Sequence, residues 1–355
     1  MIQFQFKPRY RVVHLTQELG NIAYGGIHTH CSEQYRHRSA DTGFALHSID
    51  TRFDYEAQPD VVFLGNTDIG KLEWLDFDIL VIHHWDLHKF LTPQLLATKR
   101  LVYACHGIEP LPSASPHQAQ VTYETLLRHA IVVVCESAAE AARLSHHYPE
   151  YASKVTFIHN GISMPESIEI MPPRAERRRL GHIGRLVDRK GLLQTLKAMR
   201  DLDAELHIAA DVDNRSYVQH VNNYLDGHQL GRRVFFHGFC VGARRTAFFA
   251  YVDAVVVSSL WEPFGYTTIE PVLHGTPVIV ANNSGPGEIV GPDYRYRFNP
   301  FLIADQARVL REFLDDPSEQ IVDEFGKLVG RLPMFDATVM VKKYQKLFNA
   351  LGSRA

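Results

Sequence analysis

Short apolar runs rich in β-branched residues recur along the chain, and several are separated by longer stretches with helical spacing. In the first half the runs are Val12–Leu15, Phe44–Ser48, Val61–Leu64, Ile79–His83, Leu101–Cys105, Ile131–Cys135 and Val155–Ile158. Helical patterns at Ile27–Ala40, Tyr123–His129 and Ala138–His147 lie among them. Strands that are apolar nearly throughout are buried on both faces, which predicts a parallel sheet covered by helices on each side. The pattern restarts after residue 180 with Leu180–Ile183, Glu205–Ala209, Val234–Phe236, Ala254–Val257 and Pro277–Ala281. Helices are expected at Leu192–Met199, Ser216–Leu225, Ala243–Tyr251 and Thr267–Leu273. Two doubly wound parallel sheets in series make this an α/β chain.

The seam falls in Gly161–Arg179, where Pro165, Pro172 and Pro173 precede Arg174, Arg177, Arg178 and Arg179 with little apolar periodicity. A proline-rich polar stretch of this kind suits an inter-domain linker. We therefore expect a first domain over residues 1–165, a second over 175–335, and a terminal segment over 336–355. The helix predicted from Phe335 to Leu351 offers Val339, Val341, Tyr344, Leu347 and Phe348 as its apolar face.

A chain of 355 residues is too long for one core, which agrees with two domains. Its 45% hydrophobic and 22% charged residues are those of a globular enzyme, and a net charge of −3 gives no basic field for nucleic acid. Cys31, Cys105, Cys135 and Cys240 are scattered, and two of them fall in or at the end of strand-like runs, as buried thiols do. A reduced, cytoplasmic setting follows as the expectation. Lys7, Arg9 and Arg11 precede an apolar run that Gln17 and Glu18 break at once, so no signal peptide is expected. No apolar stretch approaches the roughly 20 residues that span a bilayer. The arginine cluster reads first as a solvated face, with peripheral contact to the inner membrane surface as its second reading.

The densest chemistry is Glu262-Pro263-Phe264-Gly265-Tyr266-Thr267-Thr268-Ile269-Glu270, which follows the run Ala254–Val257 and leads into a helix ending near His274. A strand, a glycine turn and a helix start present free backbone N–H groups and the positive end of the helix dipole to an anion. The two carboxylates cannot serve a phosphate, but they suit sugar hydroxyls on either side of it. A ligand with hydroxyls, then phosphate, then hydroxyls is a sugar nucleotide.

Other candidates surround this stretch. Arg185 and Lys190 are expected in a loop after a strand, with Gly184 and Gly191 permitting close backbone approach. A guanidinium fork can bind two phosphate oxygens, and an ammonium acts as a movable point charge. Arg189 is the rival of Lys190. Gly25 and Gly26 fall in the first strand-to-helix loop, and His106 ends a strand at the carboxyl edge where such sheets bind ligands. The segment His83-His84-Trp85-Asp86-Leu87-His88 has the composition of a metal site. Neighbours on a strand point to opposite faces, however, and no second set of ligands is visible, so no metal is expected there.

Four motifs, in order, resemble those of retaining glycosyltransferases of the GT-B fold, in particular the large family 4. They are Tyr24-Gly25-Gly26-Ile27-His28-Thr29-His30, Tyr103-Ala104-Cys105-His106-Gly107, the G-R-x-x-x-x-K-G-like stretch Gly184–Gly191, and the E-x7-E-like Glu262–Glu270. The resemblance spans residues 11 to about 350. It implies two Rossmann-like domains facing across a cleft, with a last helix, carrying Phe335 and Tyr344, that crosses back to the first. It also implies transfer of a hexose from a nucleoside-diphosphate sugar to a sugar, lipid-linked or small-molecule hydroxyl, with retention and with no metal or other cofactor.

By the same resemblance the reacting centre falls to His106, Glu262, Arg185 and Lys190. Arg185 and Lys190 would hold the diphosphate, and the backbone N–H groups of Phe264, Gly265 and Tyr266 the sugar. Thr267 and Thr268 would open the helix beneath the phosphate. Glu262 would bond the hexose and Glu270 the ribose, while His106 meets the donor sugar, and Gly25 and Gly26 supply amides. His28 and Trp85 are the acceptor-side candidates. Two departures stand out: Tyr266 replaces a small aliphatic residue, and Ser284-Gly285-Pro286-Gly287-Glu288 replaces a Gly-Gly-x-x-Glu loop. Val234–Phe239 is expected to line the base pocket. The Asp-x-Asp pairs Asp76–Asp78, Asp201–Asp203 and Asp211–Asp213, which bind metal in the other glycosyltransferase fold, are expected to be background. The alternatives are a nucleotide-sugar epimerase on this fold and a non-catalytic partner that binds sugar nucleotide. Nothing in the residues selects the nucleobase or the oligomeric state.

Overall fold

The computed structural model describes residues 10–19, 25–47, 61–107, 116–170, 178–211 and 214–352. Tyr24, Ser48, Pro172, Pro173, Arg174, Arg177 and Asp213, which the sequence singled out, lie outside them. The chain divides into two units, Met1–Ser163 with Phe335–Ala355, and Met164–Met334.

The first unit carries a seven-stranded sheet among the described residues. Its strands are β1 (Val12–Thr16), β2 (Thr42–Leu46), β3 (Val61–Phe63), β4 (Ile79–Ile82), β5 (Arg100–Cys105), β6 (Val132–Cys135) and β7 (Val155–Phe157). The order is β3-β2-β1-β4-β5-β6-β7, parallel throughout, so the winding reverses between β1 and β4. Helices α1 (Gly26–Arg36), α2 (Pro93–Thr98), α3 (Pro116–His129) and α4 (Ala138–His147) alternate with them. Two starts are capped by hydroxyls: Thr92 accepts from the Leu95 N–H and Ser137 from the Glu140 N–H, each at 3.2 Å. On one face of the sheet Leu15, Leu80, Ile82 and Tyr103 pack with Leu126 and Leu144 from the helices.

The second unit repeats the plan with β8 (Arg179–Arg185), β9 (Glu205–Asp211), β10 (Val234–Phe236), β11 (Ala254–Val257), β12 (Val278–Ala281) and β13 (Arg297–Phe298). The order is β10-β9-β8-β11-β12-β13, again all parallel, with the reversal between β8 and β11. Its helices are α5 (Leu192–Ala198), α6 (Arg215–Gly227), α7 (Ala243–Tyr251), α8 (Tyr266–Leu273), α9 (Gly285–Val290), α10 (Ile303–Asp315) and α11 (Ser318–Arg331).

The last helix, α12 (Ala337–Gly352), belongs to the first unit. Met340, Val341, Tyr344 and Phe348 cover the other sheet face, against Val12, Ile79, Val81, Val102 and Val134. Met340 thus takes the core position expected of Val339, which is only half-buried. Where the segment returns, Ile162 N–H bonds Phe335 O at 3.0 Å and Ala337 N–H bonds Ile162 O at 3.1 Å. A Cβ on Gly161 would lie 2.6 Å from Ala337 Cα, so only glycine fits this crossing. The C-terminal carbonyls of α12 receive cations, as the helix dipole favours: Arg11 donates to Phe348 O at 3.1 Å and Arg100 to Leu351 O at 2.5 Å.

Several sequence expectations are corrected. β8 runs two residues further than predicted, so Arg185 ends a strand instead of sitting in a loop. Trp85 opens a 3-10 turn, Trp85–Phe90, because the chain leaves the sheet directly after His83. Ser284–Glu288 is the start of α9, not a loop, with Pro286 in the first turn where its missing N–H costs nothing. The two-residue β13 and the helices α10 and α11 were not foreseen. Of the linker arginines, Arg178 pairs with Asp203 at 2.9 Å and Arg179 lies 4.5 Å from the Tyr251 ring, which ties both to the second unit. Cys31, Cys105, Cys135 and Cys240 are buried free thiols. Among the described residues no helix is long and apolar enough to cross a membrane.

Both cores bury histidines. Burial brings His14 down to about 3 and His28 and His182 to about 4. The folded chain leaves these rings neutral, while the unfolded chain protonates them below about pH 6.5. Stability is therefore lost as pH falls from 6.5 towards 4, by roughly 1.4 kcal/mol per pH unit for each such ring. Calorimetry should show the unfolding temperature dropping between pH 7 and pH 5, before carboxylates titrate. A flat profile over that interval would show that these histidines gain protons as readily folded as unfolded.

Candidate active site

In the second unit the chemistry gathers at the carboxyl ends of β8 and β11, where the winding reverses and doubly wound sheets bind ligands. After Arg185 a 3-10 turn, Asp188–Lys190, leads through Gly191 into α5. Gly191 has φ +70° and its Cβ would fall 1.9 Å from Ser258 O, so the turn lies directly on the end of β11. Leu260 N–H bonds Arg189 O at 2.8 Å, and the Ser258 hydroxyl donates to Lys190 O at 3.0 Å. Turn and loop form one piece.

This contact brings Lys190 to Glu262. The ammonium donates to Glu262 Oε2, which also accepts from the Ser259 hydroxyl at 3.2 Å and faces Arg189 at 3.8 Å. Burial pulls the Lys190 pKa down and Glu262 opposes it, while Arg189 and Arg185 add to the fall. Burial pushes the Glu262 carboxyl up, but Lys190, Arg189 and the two hydrogen bonds outweigh that and hold it below the ordinary range. Arg185 is exposed at the strand end.

The Glu262 backbone is fixed from β12. Its N–H donates to the Ser284 hydroxyl at 3.2 Å, its carbonyl accepts from Gly285 N–H at 3.1 Å, and the Asn283 amide donates to Leu260 O. Gly265 has φ +101°, and a Cβ there would meet Pro286 Cγ at 2.8 Å. Pro286, the bulk that set this loop apart in the sequence, thus packs under the glycine turn. Gly265 stands at the N-terminus of α8 with no side-chain cap, next to buried Phe264 and Tyr266. Thr267 is half-buried, whereas Thr268 is fully buried and its N–H bonds Gly265 O at 2.8 Å. Glu270 pairs with Arg245 from α7, and burial keeps its carboxyl above the ordinary range despite that arginine. Each carboxylate assigned to hydroxyls therefore already has a cation.

In the first unit six polar residues meet at the carboxyl edge. His14 comes from β1, His30 from α1, and His83, His106, Glu136 and Asn160 follow β4, β5, β6 and β7. His14 Nδ1 lies 2.8 Å from His83 Nε2, and His83 Nδ1 lies 3.1 Å from His106 Nε2. His106 Nδ1 bonds Glu136 Oε1 at 2.5 Å, Asn160 donates to the same oxygen at 2.6 Å, and Asn160 Oδ1 bonds His30 Nδ1 at 2.7 Å. Both ring nitrogens of His106 are thus engaged within the unit. Gly25 and Gly26 are exposed at the start of α1, which has no side-chain cap. His28 is buried, and Trp85 is half-buried against the core, so neither stands as an open platform for a sugar ring.

The sequence segment His83–His88 disperses. His83 joins the buried cluster, His84 pairs with Asp86, and His88 bonds Trp85 O at 3.1 Å. The fold brings His30 and His106 to His83, with one ring nitrogen from each within 4.8 Å of the others. Among the Asp-x-Asp pairs, Asp201 pairs with Arg200 and Asp203 with Arg178, and Asp76 and Asp78 are exposed. Arg245, Ser258, Glu136 and Asn160 escaped the sequence reading. Most lie within three residues of a strand's carboxyl end, which is the one signal that would have found them.

The family described as Glycosyl transferases group 1 matches residues 163–327, and Glycosyltransferase Family 4 matches residues 25–164. An uncharacterized glycosyltransferase of Methanocaldococcus jannaschii is 29% identical over 271 residues, 66% of this chain and 66% of that one. A glycogen synthase of Mycobacterium tuberculosis is 24% identical over 255 residues, 68% of this chain and 61% of that one. The chain thus spans about two thirds or less of these relatives. Among solved structures, Anabaena Alr3699/HepE in complex with UDP and glucose superposes with a TM-score of 0.73 at 19% identity, over 96% of this chain and 100% of that one. Sucrose-phosphate synthase of Thermosynechococcus elongatus gives 0.74 at 15% identity, over 97% and 100%. At such identities the likeness speaks for the fold, which is GT-B. The two family matches meet end to end over residues 25–327, and with this fold beneath them the chain belongs to the group 1 glycosyltransferases of family 4.

Proposed function

We propose that the protein transfers a hexose from a nucleoside-diphosphate sugar to a hydroxyl acceptor, with retention of configuration and with its own cations in place of a metal. The observation that carries this reading is the Lys190–Glu262 pair, an ammonium fixed at the sheet edge by a carboxylate whose backbone is itself anchored. The reaction breaks the bond from the anomeric carbon to the diphosphate, and the departing oxygen gains negative charge. Pre-set cations and N–H dipoles at that oxygen lower the barrier because they need no reorganisation. Lys190, Arg185 and the uncapped start of α8 fit the task.

When a diphosphate arrives, Lys190 turns from Glu262 to phosphate, and Glu262 becomes free to accept hydrogen bonds from the hexose. Glu270, held by Arg245, accepts from the ribose. The acceptor oxygen bonds the anomeric carbon on the face the diphosphate leaves, and the acceptor's proton passes to the departing diphosphate, so no protein nucleophile is assigned. With Nδ1–H held by Glu136, His106 offers Nε2 to the donor sugar after parting from His83. Gly25 and Gly26 supply amides, and of the acceptor-side candidates the half-buried Trp85 is retained and the buried His28 is not. Anabaena Alr3699/HepE, solved with UDP, makes UDP the first nucleotide to try.

A thermal-shift panel of UDP, GDP, ADP and their sugars tests the reading directly. One nucleotide at about 100 times its dissociation constant should stabilise the chain by about 2.7 kcal/mol. No shift with any of them would overturn it. Lys190→Ala should lower turnover by roughly 10²–10³-fold, the scale for one transition-state charge stabiliser. Near-normal turnover in a variant with unchanged circular dichroism would remove Lys190 from the chemistry. Turnover should also persist in excess chelator, whereas a loss that Mg²⁺ or Mn²⁺ restores would mean that a hard cation, not Lys190 and Arg185, carries the diphosphate charge.

A further inference from the structure

We propose that, in the chain free of donor, His30, His83 and His106 of the first unit form a buried site for one borderline transition-metal ion of the Zn²⁺ or Co²⁺ kind, which takes the same His106 Nε2 that the transferase reading gives to the donor sugar. One ring nitrogen from each lies within 4.8 Å of the others, and His83 Nδ1 and His106 Nε2 are 3.1 Å apart. A tetrahedral zinc with bonds of about 2.0–2.1 Å needs ligand nitrogens about 3.3 Å apart, which small ring rotations would reach.

The outer partners make the stronger argument. A metal-bound imidazole keeps its other nitrogen in a hydrogen bond that fixes tautomer and ring orientation. Here all three have one: His106 Nδ1 to Glu136, His30 Nδ1 to Asn160 Oδ1, and His83 Nε2 to His14 Nδ1. The tautomers follow from these bonds. Glu136 accepts, so His106 carries a proton on Nδ1 and Nε2 is the atom that faces His83. Asn160 spends its amide N–H on Glu136, so its oxygen accepts from His30 and leaves His30 Nε2 bare. That atom is fully buried and has no hydrogen-bond partner. His83 can place its proton on Nε2, towards His14, and present Nδ1 as the third lone pair. Neutral imidazole is the form that binds metal. Three imidazoles and no carboxylate select zinc, cobalt, nickel or copper over magnesium and manganese.

The test uses full-length, tag-free chain, stripped with chelator and incubated with Co²⁺ or Zn²⁺. The expected result is one ion per chain, with the visible absorption of tetrahedral Co²⁺. Affinity should fall at least tenfold in His30→Gln and in His83→Gln, each checked for folding by circular dichroism. His146 and His147 form an exposed pair that can also bind metal, and their double glutamine variant should keep the site. A wild-type chain that takes up no ion overturns the proposal without recourse to any variant. So does binding that vanishes only with the His146/His147 variant. The nucleotide thermal shift reads the second unit, so failure here leaves the transferase reading standing.

Discussion

The second unit depends on one close approach, that of Gly191 to the carbonyl of Ser258. No side chain fits between them, and the positive φ of Gly191 lets the basic turn end there and α5 begin. Because the turn is pressed onto the end of β11, the ammonium of Lys190 comes out beside Glu262. Ser284 and Gly285 then hold the Glu262 backbone from the next strand over. A charge pair in a half-dry position loses solvation that it recovers only with good geometry and further hydrogen bonds. Ser259 supplies one such hydrogen bond here, and Arg189 adds its charge at 3.8 Å.

The first unit solves the same topological problem with different chemistry. Its carboxyl edge is lined by imidazoles: burial lowers the pKa of His14, His30 and His83, and a single carboxylate, Glu136, orders His106. A chain of hydrogen-bonded rings transmits orientation: the contact of His106 Nδ1 with Glu136 fixes where Nε2 points, and that in turn constrains His83 and His14. The second unit places net charges where a phosphate would sit, and the first places lone pairs.

The fold was legible because buried parallel strands leave an unmistakable apolar signature, and β1, β4, β5, β6, β11 and β12 all stand near the runs that predicted them. The two-residue β13 buries too little to leave such a trace, and α10 and α11 were not read from spacing. In the site, the local motifs were readable: Gly184–Gly191 and Glu262–Glu270 are continuous in sequence because one strand, one turn and one helix build each. What sequence could not show is pairing at a distance. Lys190 meets Glu262 across 72 positions and His30 meets Asn160 across 130, and nothing short of the strand order brings them together. The grouping of His30 and His106 with His83 was hidden at the sequence level for the same reason. His83 was judged against its neighbours, whereas its partners arrive from α1 and β5.

Pre-pairing sets how a donor can bind. Lys190 has a carboxylate before any phosphate comes, so the energy available is the difference between two ion pairs, not the whole of one. Affinity for bare diphosphate should accordingly be modest for so many charges. Specificity gains by the same exchange. Once Glu262 loses its ammonium, it is a half-buried carboxylate left with Ser259 and Arg189 alone, and a carboxylate short of donors is costly. A ligand that takes Lys190 without offering hydroxyls to Glu262 meets that cost in full. In the transferase proposed above, the pair would thus couple recognition of phosphate to recognition of sugar through one shared oxygen, Glu262 Oε2, which Lys190 holds in the ligand-free chain.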